Sequence, residues 1–144
     1  MLTVGDIMTR KVVTVTLDDT LRRIREIFDE CFFHHLVVVK GRQVVGVISD
    51  RDLLKNLSPF VDNQWMERTQ DVNTLKRKAH QIMRRSPIVT GETVTVAQAT
   101  AYLLAQKVTC LPVVDEREHL RGIVTWRDLL PHCTFCDLPQ DEAA

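Results

Sequence analysis

Two nine-residue stretches of this 144-residue chain repeat one pattern of chemistry-bearing residues. Gly46-Val47-Ile48-Ser49-Asp50-Arg51-Asp52-Leu53-Leu54 and Gly122-Ile123-Val124-Thr125-Trp126-Arg127-Asp128-Leu129-Leu130 each read glycine, two β-branched residues, a hydroxyl, any residue, Arg, Asp, Leu, Leu. Ser49-x-x-Asp52 and Thr125-x-x-Asp128 fit a capping box, in which hydroxyl and carboxylate satisfy the first free amides of a helix. Arg51 and Arg127 fall in the first helical turn, where the macrodipole disfavours a cation. A bound anion relieves that conflict, and helix N-termini are ready phosphate sites. Gly46 and Gly122 leave room for a flat ligand to approach the strand backbone. The pattern therefore predicts a ligand site in which the same residues also cap.

Other candidate chemistry is thin. No nucleophile–base pair, metal cluster or GxxxxGK loop is present, so no catalytic residue is expected. His132, Cys133 and Cys136 are too few to close a tetrahedral metal site, and no second CxxC accompanies them. Cys31 and Cys110 sit in apolar runs and read as small buried hydrophobes, with no disulfide framework expected. His34-His35 precedes a core strand and fits either a structural histidine or one facing a ligand. Lys76-Arg77-Lys78, with Arg84 and Arg85, reads as a solvated face.

The elements that position the two stretches are also duplicated. Asp6-Ile7-Met8-Thr9-Arg10 is answered 75 residues later by Gln81-Ile82-Met83-Arg84-Arg85. Val12-Val13-Thr14-Val15 and Pro87-Ile88-Val89-Thr90 are both strand-like. Asp18-Asp19-Thr20 caps a helix with Leu21, Ile24, Ile27 and Phe28 on one face. Thr93 or Thr95 caps its counterpart, striped by Val96, Ala99, Tyr102 and Leu103. Leu36-Val37-Val38-Val39 and Leu111-Pro112-Val113-Val114 are buried strands. The turn at 115–119 is one residue longer than the turn at 40–43, which shifts the offset to 76. Each half reads strand, helix, strand, strand, helix. A half of about 50 residues is marginal alone, so the two are expected to pack as one body.

The sequence divides into a first repeat over 1–55, a linker over 56–78, a second repeat over 79–131 and a tail over 132–144. The linker holds Ser58-Pro59 and Trp65, and Val72, Leu75, Ala79, Ile82 and Met83 give its end helical spacing. Nineteen basic and nineteen acidic side chains give no net charge, which argues against a nucleic-acid partner. The N-terminus lacks a signal-peptide pattern and no apolar run approaches a membrane span of about 18 residues. A cytoplasmic protein with no membrane partner is expected.

In this order, and twice over, these residues resemble the cystathionine β-synthase (CBS) domain, and the whole resembles a tandem pair, or Bateman module. The resemblance rests on the Asp-Ile-Met opening, the Leu-Pro-Val-Val-Asp strand at 111–115 and the two Gly-h-h-Ser/Thr-x-x-Asp segments, across about Val4 to Leu130. It implies an α/β (α+β) fold: two β-α-β-β-α repeats packed about a pseudo-two-fold axis, with two clefts between them. Family members often bind adenosine nucleotides there, so AMP, ADP, ATP or a related adenosyl compound is the implied ligand, and no cofactor is expected. By position, Ser49 and Thr125 would bond phosphate or ribose, Asp52 and Asp128 the ribose hydroxyls, and Arg51 and Arg127 would meet a phosphate. Adenine would lie against Val13-Thr14 in one site and Ile88-Val89 in the other. The first repeat departs from the pattern with Val37 in place of Pro112 and Lys40 in place of Asp115. The implied protein is a free-standing regulatory sensor, a homodimer that signals to an effector protein of unknown identity. The alternative is an interaction scaffold whose clefts stay empty and whose hydroxyl–Asp pairs only cap.

Overall fold

A computed structural model of the chain describes residues 1–31, 33–58 and 69–133. From the N-terminus the elements run α1 (Val4–Ile7), β1 (Thr14–Thr16), α2 (Leu21–Glu30), β2 (His35–Lys40), β3 (Gln43–Ser49) and α3 (Asp50–Asn56). There follow α4 (Thr69–Thr74), α5 (Ala79–Ile82), β4 (Arg84–Arg85), α6 (Val96–Gln106), β5 (Cys110–Val114), β6 (Leu120–Thr125) and α7 (Trp126–Leu129), with a 3-10 turn at Leu130–His132. Among the described residues no helix is long and apolar enough to cross a membrane. Trp65 and Cys136 lie outside the described residues.

Two compact units result, and their borders are not those of the repeats. A continuous unit comprises Val13–Pro87, and a split unit joins Met1–Val12 to the chain from Ile88 onward. The continuous unit has a four-stranded sheet in the order β1-β2-β3-β4. β1 is parallel to β2, and the other pairs are antiparallel. The β2–β3 hairpin turns through Gly41 and Arg42, with Gly41 at φ +64°, a left-handed conformation that costs glycine little. Lys40 in place of an Asp does not prevent that turn.

Among the described residues of the split unit, only β5 and β6 form full strands. Their flanks are single bridges, Thr90 parallel to Val113 and Thr9 antiparallel to Ile123. The order Thr90–β5–β6–Thr9 therefore repeats the order β1-β2-β3-β4 with its edges reduced to one pair each. The expected strand at 87–90 is that bridge. The longer turn is organised by the Asp115 carboxylate, which accepts from the Arg117 and His119 amides at 2.9 Å each.

The α2 stripe forms as its spacing predicts, and the α6 stripe does so except at Tyr102. Leu21, Ile24 and Ile27 of α2 are buried with Val15, Leu36, Val38 and Ile48, and Phe28 packs at the rim. Val96, Ala99 and Leu103 of α6 are buried with Leu111, Val113 and Val124, whereas Tyr102 is exposed. Thr95, rather than Thr93, caps α6 by a reciprocal pair of hydrogen bonds with Gln98, both 3.1 Å.

The helical run expected through Val72–Met83 is broken between α4 and α5. At the break the Arg77 carbonyl accepts from the Leu21 amide at 2.8 Å and the Leu75 carbonyl from the Arg22 amide at 3.1 Å. The first amides of a helix have no partner inside it. Opening the 75–78 backbone supplies two such partners to α2, a tertiary demand that periodicity does not encode.

Candidate functional site

Ser49 ends β3 and Asp52 stands three residues on, inside α3. The Asp52 amide donates to Ser49 Oγ and the Ser49 amide donates to Asp52 Oδ2, both at 3.0 Å. In the split unit the Thr125 amide donates to Asp128 Oδ2 at 2.9 Å, and the Thr125 hydroxyl donates to the same oxygen at 3.3 Å. Capping is therefore real at both junctions. The amides reach Oδ2, and a carboxylate offers about four acceptor sites. One aspartate can cap and still accept from a ligand hydroxyl.

Strand register decides which other residues share these junctions. Cross-strand partners lie on one face of a sheet, and neighbours along a strand alternate. His35 pairs with Ser49, Val37 with Val47 and with Thr14, and Val47 with Arg84. Thr14, His35, Ser49 and Arg84 thus share the face opposite the α2 core. In the split unit Cys110 pairs with Thr125, and Ile123 with Pro112 and with Thr9. Val89 is level with Pro112, because Thr90 bridges Val113. Val89, Cys110, Thr125 and Thr9 are the corresponding set.

Of the four residues expected to wall an adenine, Thr14 and Val89 lie on these faces. Val13 precedes β1 with its side chain in the opposite phase, 41% exposed, and Ile88 packs against the buried cluster around Leu111. The register does not bring these last two to the hydroxyl–Asp side.

The two glycines do something other than expected. A Cβ at Gly122 would lie 2.7 Å from Met8 Sδ and 2.8 Å from the Thr9 carbonyl oxygen. One at Gly46 would run into the Met83 thioether and lie 3.1 Å from the Arg84 carbonyl oxygen. The space these glycines leave is taken by a methionine and by the backbone after it, so it is not open to a ligand. The Met8–Thr9 and Met83–Arg84 segments are the counterparts of one another, each laid across the strand that the other repeat supplies.

Charge distinguishes the junctions. Arg84 Nε lies 3.9 Å from Asp52 Oδ2, and the Arg84 side chain is 65% exposed while that of Asp52 is 12% exposed. His34 Nδ1 lies 2.7 Å from Asp50 Oδ2. Burial works against the Asp50 charge, but the hydrogen bonds from His34 and from the Arg51 amide outweigh it and hold the carboxyl below its usual range. Burial likewise depresses the pKa of His35, opposed by Asp50. Arg51 is exposed. At the other junction Arg127 stacks over the Trp126 ring, 5.3 Å from its centroid. Three other residues of the basic cluster have partners: Arg77 donates to Asn56 at 2.8 Å, Lys78 lies 3.6 Å from Asp18, and Arg85 donates to the His80 carbonyl at 3.3 Å.

Sequence reasoning placed Arg84 among solvated charges and missed that β4 carries it to Asp52. The 75-residue offset makes Arg84 the counterpart of Thr9 but carries no signal for Asp52, which β3–β4 pairing brings near. Among the described residues no group of three or more His, Cys, Asp or Glu could hold a metal. An open groove in the split unit, lined by Val89, Thr90, Glu92, Tyr102, Asp115 and Arg117 among others, lies at the far end of β5 from Thr125.

A family model described as CBS domain matches residues 4–59 and 79–133. A CBS domain-containing protein of Dictyostelium discoideum is 31% identical over 129 residues, covering 88% of each chain. The inosine-5'-monophosphate dehydrogenase of Korarchaeum cryptofilum is 31% identical over 120 residues, 83% of this chain but 22% of that enzyme. Among solved structures, CBSX2 of Arabidopsis thaliana in complex with AMP superposes with a TM-score of 0.74 at 29% identity, covering 92% of this chain and 96% of that one.

Proposed function

The chain belongs to the CBS domain family, and from that premise we propose that it is a regulatory module that binds an adenosine nucleotide (AMP, ADP or ATP) at its Ser49–Asp52 and Thr125–Asp128 junctions. It acts as a cytoplasmic homodimer and passes its bound state to an effector protein. The observation that carries this reading is strand register, which puts Thr14 and Ser49, and Val89 and Thr125, on the same faces of their sheets, beside the helices that Asp52 and Asp128 cap. The 29% identical relative crystallised with AMP supports the ligand class.

The chemistry is binding without catalysis. Ribose hydroxyls donate to the free acceptor sites of Asp52 or Asp128, and Ser49 or Thr125 turns its hydroxyl to a phosphate or ribose oxygen. Thr14 and Val89 flank the base, and Arg51 and Arg127 meet phosphate. A ligand regulates by binding one arrangement of the molecule better than another.

The capping geometry favours one competing reading, a scaffold in which the aspartates serve their helices only. Substitution by Asn separates the two. An amide oxygen still accepts from the backbone, so a pure cap loses a few tenths of a kcal/mol at Asp52→Asn or Asp128→Asn. A ribose ligand loses charge-assisted hydrogen bonds of about 1.5–3 kcal/mol, or about 10- to 150-fold in affinity. Titration calorimetry on the single and double variants, with melting of the free proteins, reads both quantities. Unchanged nucleotide affinity in the double variant would leave the scaffold reading standing.

A further inference from the structure

The two junctions are built from corresponding positions but do not offer the same charge. Where the continuous unit has Thr14, His35, Ser49 and Arg84 on its binding face, the split unit has Val89, Cys110, Thr125 and Thr9. The decisive exchange is Arg84 for Thr9. Both residues follow a methionine packed on a strand glycine, and both pair with the residue after that glycine, Val47 or Ile123. The next position differs as well. Arg10 is locked to the Glu92 carboxylate at 3.1 Å and to the Gly5 carbonyl at 3.1 Å. Its counterpart Arg85 meets a backbone carbonyl instead.

Arg84 is held and yet available. Its Nε is 3.9 Å from Asp52 Oδ2, beyond hydrogen-bond reach, and its side chain is two-thirds exposed. An ion pair so exposed contributes little by itself. A guanidinium fork suits phosphate oxygens, which it can take two at a time. Resting on the nucleotide reading above, we propose that Arg84 makes the Ser49–Asp52 junction selective for the more highly phosphorylated nucleotides, while the Thr125–Asp128 junction, with Thr9 in place of Arg84, discriminates little between AMP and ATP.

The test compares adenosine, AMP and ATP by titration calorimetry in magnesium-free buffer, so that the phosphate charge is not masked. Asp128→Asn protein reports the first junction and Asp52→Asn protein the second. At the first junction ATP is expected to bind about tenfold tighter than AMP or better, the scale of one charge-assisted contact. Arg84→Gln added to Asp128→Asn closes that gap, and Arg84→Lys keeps part of it. Thr9→Arg opens a gap at the second junction in the Asp52→Asn protein. A gap that survives Arg84→Gln overturns the assignment, as does its absence at the first junction or its presence at the second without Thr9→Arg. Wild-type protein that binds none of the three ligands overturns instead the nucleotide reading on which it rests. Melting of each variant confirms that an affinity lost is not a fold lost.

Discussion

His35 shows how a single side chain ties the binding face to stability. It is paired with Ser49 across the hairpin and half-buried, and burial holds its pKa below the ordinary histidine value of 6.5. The unfolded chain therefore takes up this proton first as the solution is acidified. Stability rises with pH wherever the unfolded state binds more protons, so the contribution is intact above about pH 6.5 and lost as pH falls below it. Melting at pH 7.5, 6.5 and 5.5 should show a drop toward the acid end that is shallower in His35→Gln; parallel curves for the two proteins would refute the assignment. The identity of such residues was partly visible beforehand. Ser49, Asp52, Thr125 and Asp128 stood out because the pattern occurs twice at a spacing that only a strand-to-helix junction explains. Arg84 did not, because its neighbour Asp52 lies 32 positions away and only strand pairing joins them.

Elements of regular period were legible, and elements set by tertiary demand were not. The stripes of α2 and α6 follow the 3.6-residue rule and form where expected, save that Tyr102 of α6 is exposed. The break between α4 and α5 exists because α2 needs carbonyl partners for its first amides. The crossing segments Met8–Thr9 and Met83–Arg84 were equally hidden, since a glycine that admits a distant thioether looks the same in sequence as one that admits a ligand. They carry a graded expectation. Gly122→Ala places a Cβ against the Thr9 carbonyl oxygen, a backbone atom that cannot swing away, and should cost about 1–3 kcal/mol as an overpacking change. Gly46→Ala meets chiefly the Met83 side chain, which can take another rotamer, and should cost less. Denaturant melts of the two variants rank them, and an equal or reversed order would contradict these contacts.

The whole chain is neutral, but its two compact units are not. Residues 13–87 hold thirteen basic and ten acidic side chains, and the remainder six and nine. Zero net charge thus conceals an uneven distribution, with the excess of cations on the unit that carries Arg84. A dimer that brings unlike units of two copies together would gain from it, and a closed symmetric pair needs only one self-complementary patch. Light scattering at tens of micromolar protein should return the dimer mass, and a monomer mass would rule the pairing out. The duplication itself was plain in the sequence, whereas the exchange of opening segments between repeats was not, since similarity marks what was copied and not where it folds. That exchange bears on descent. Each repeat leaves the edge of its own sheet to be finished by the segment that opens the other repeat. A lone ancestral copy could have finished its edge only by lending that segment to a twin and receiving the twin's in return. The fused gene would then preserve, within one polypeptide, what began as a swapped pair of molecules.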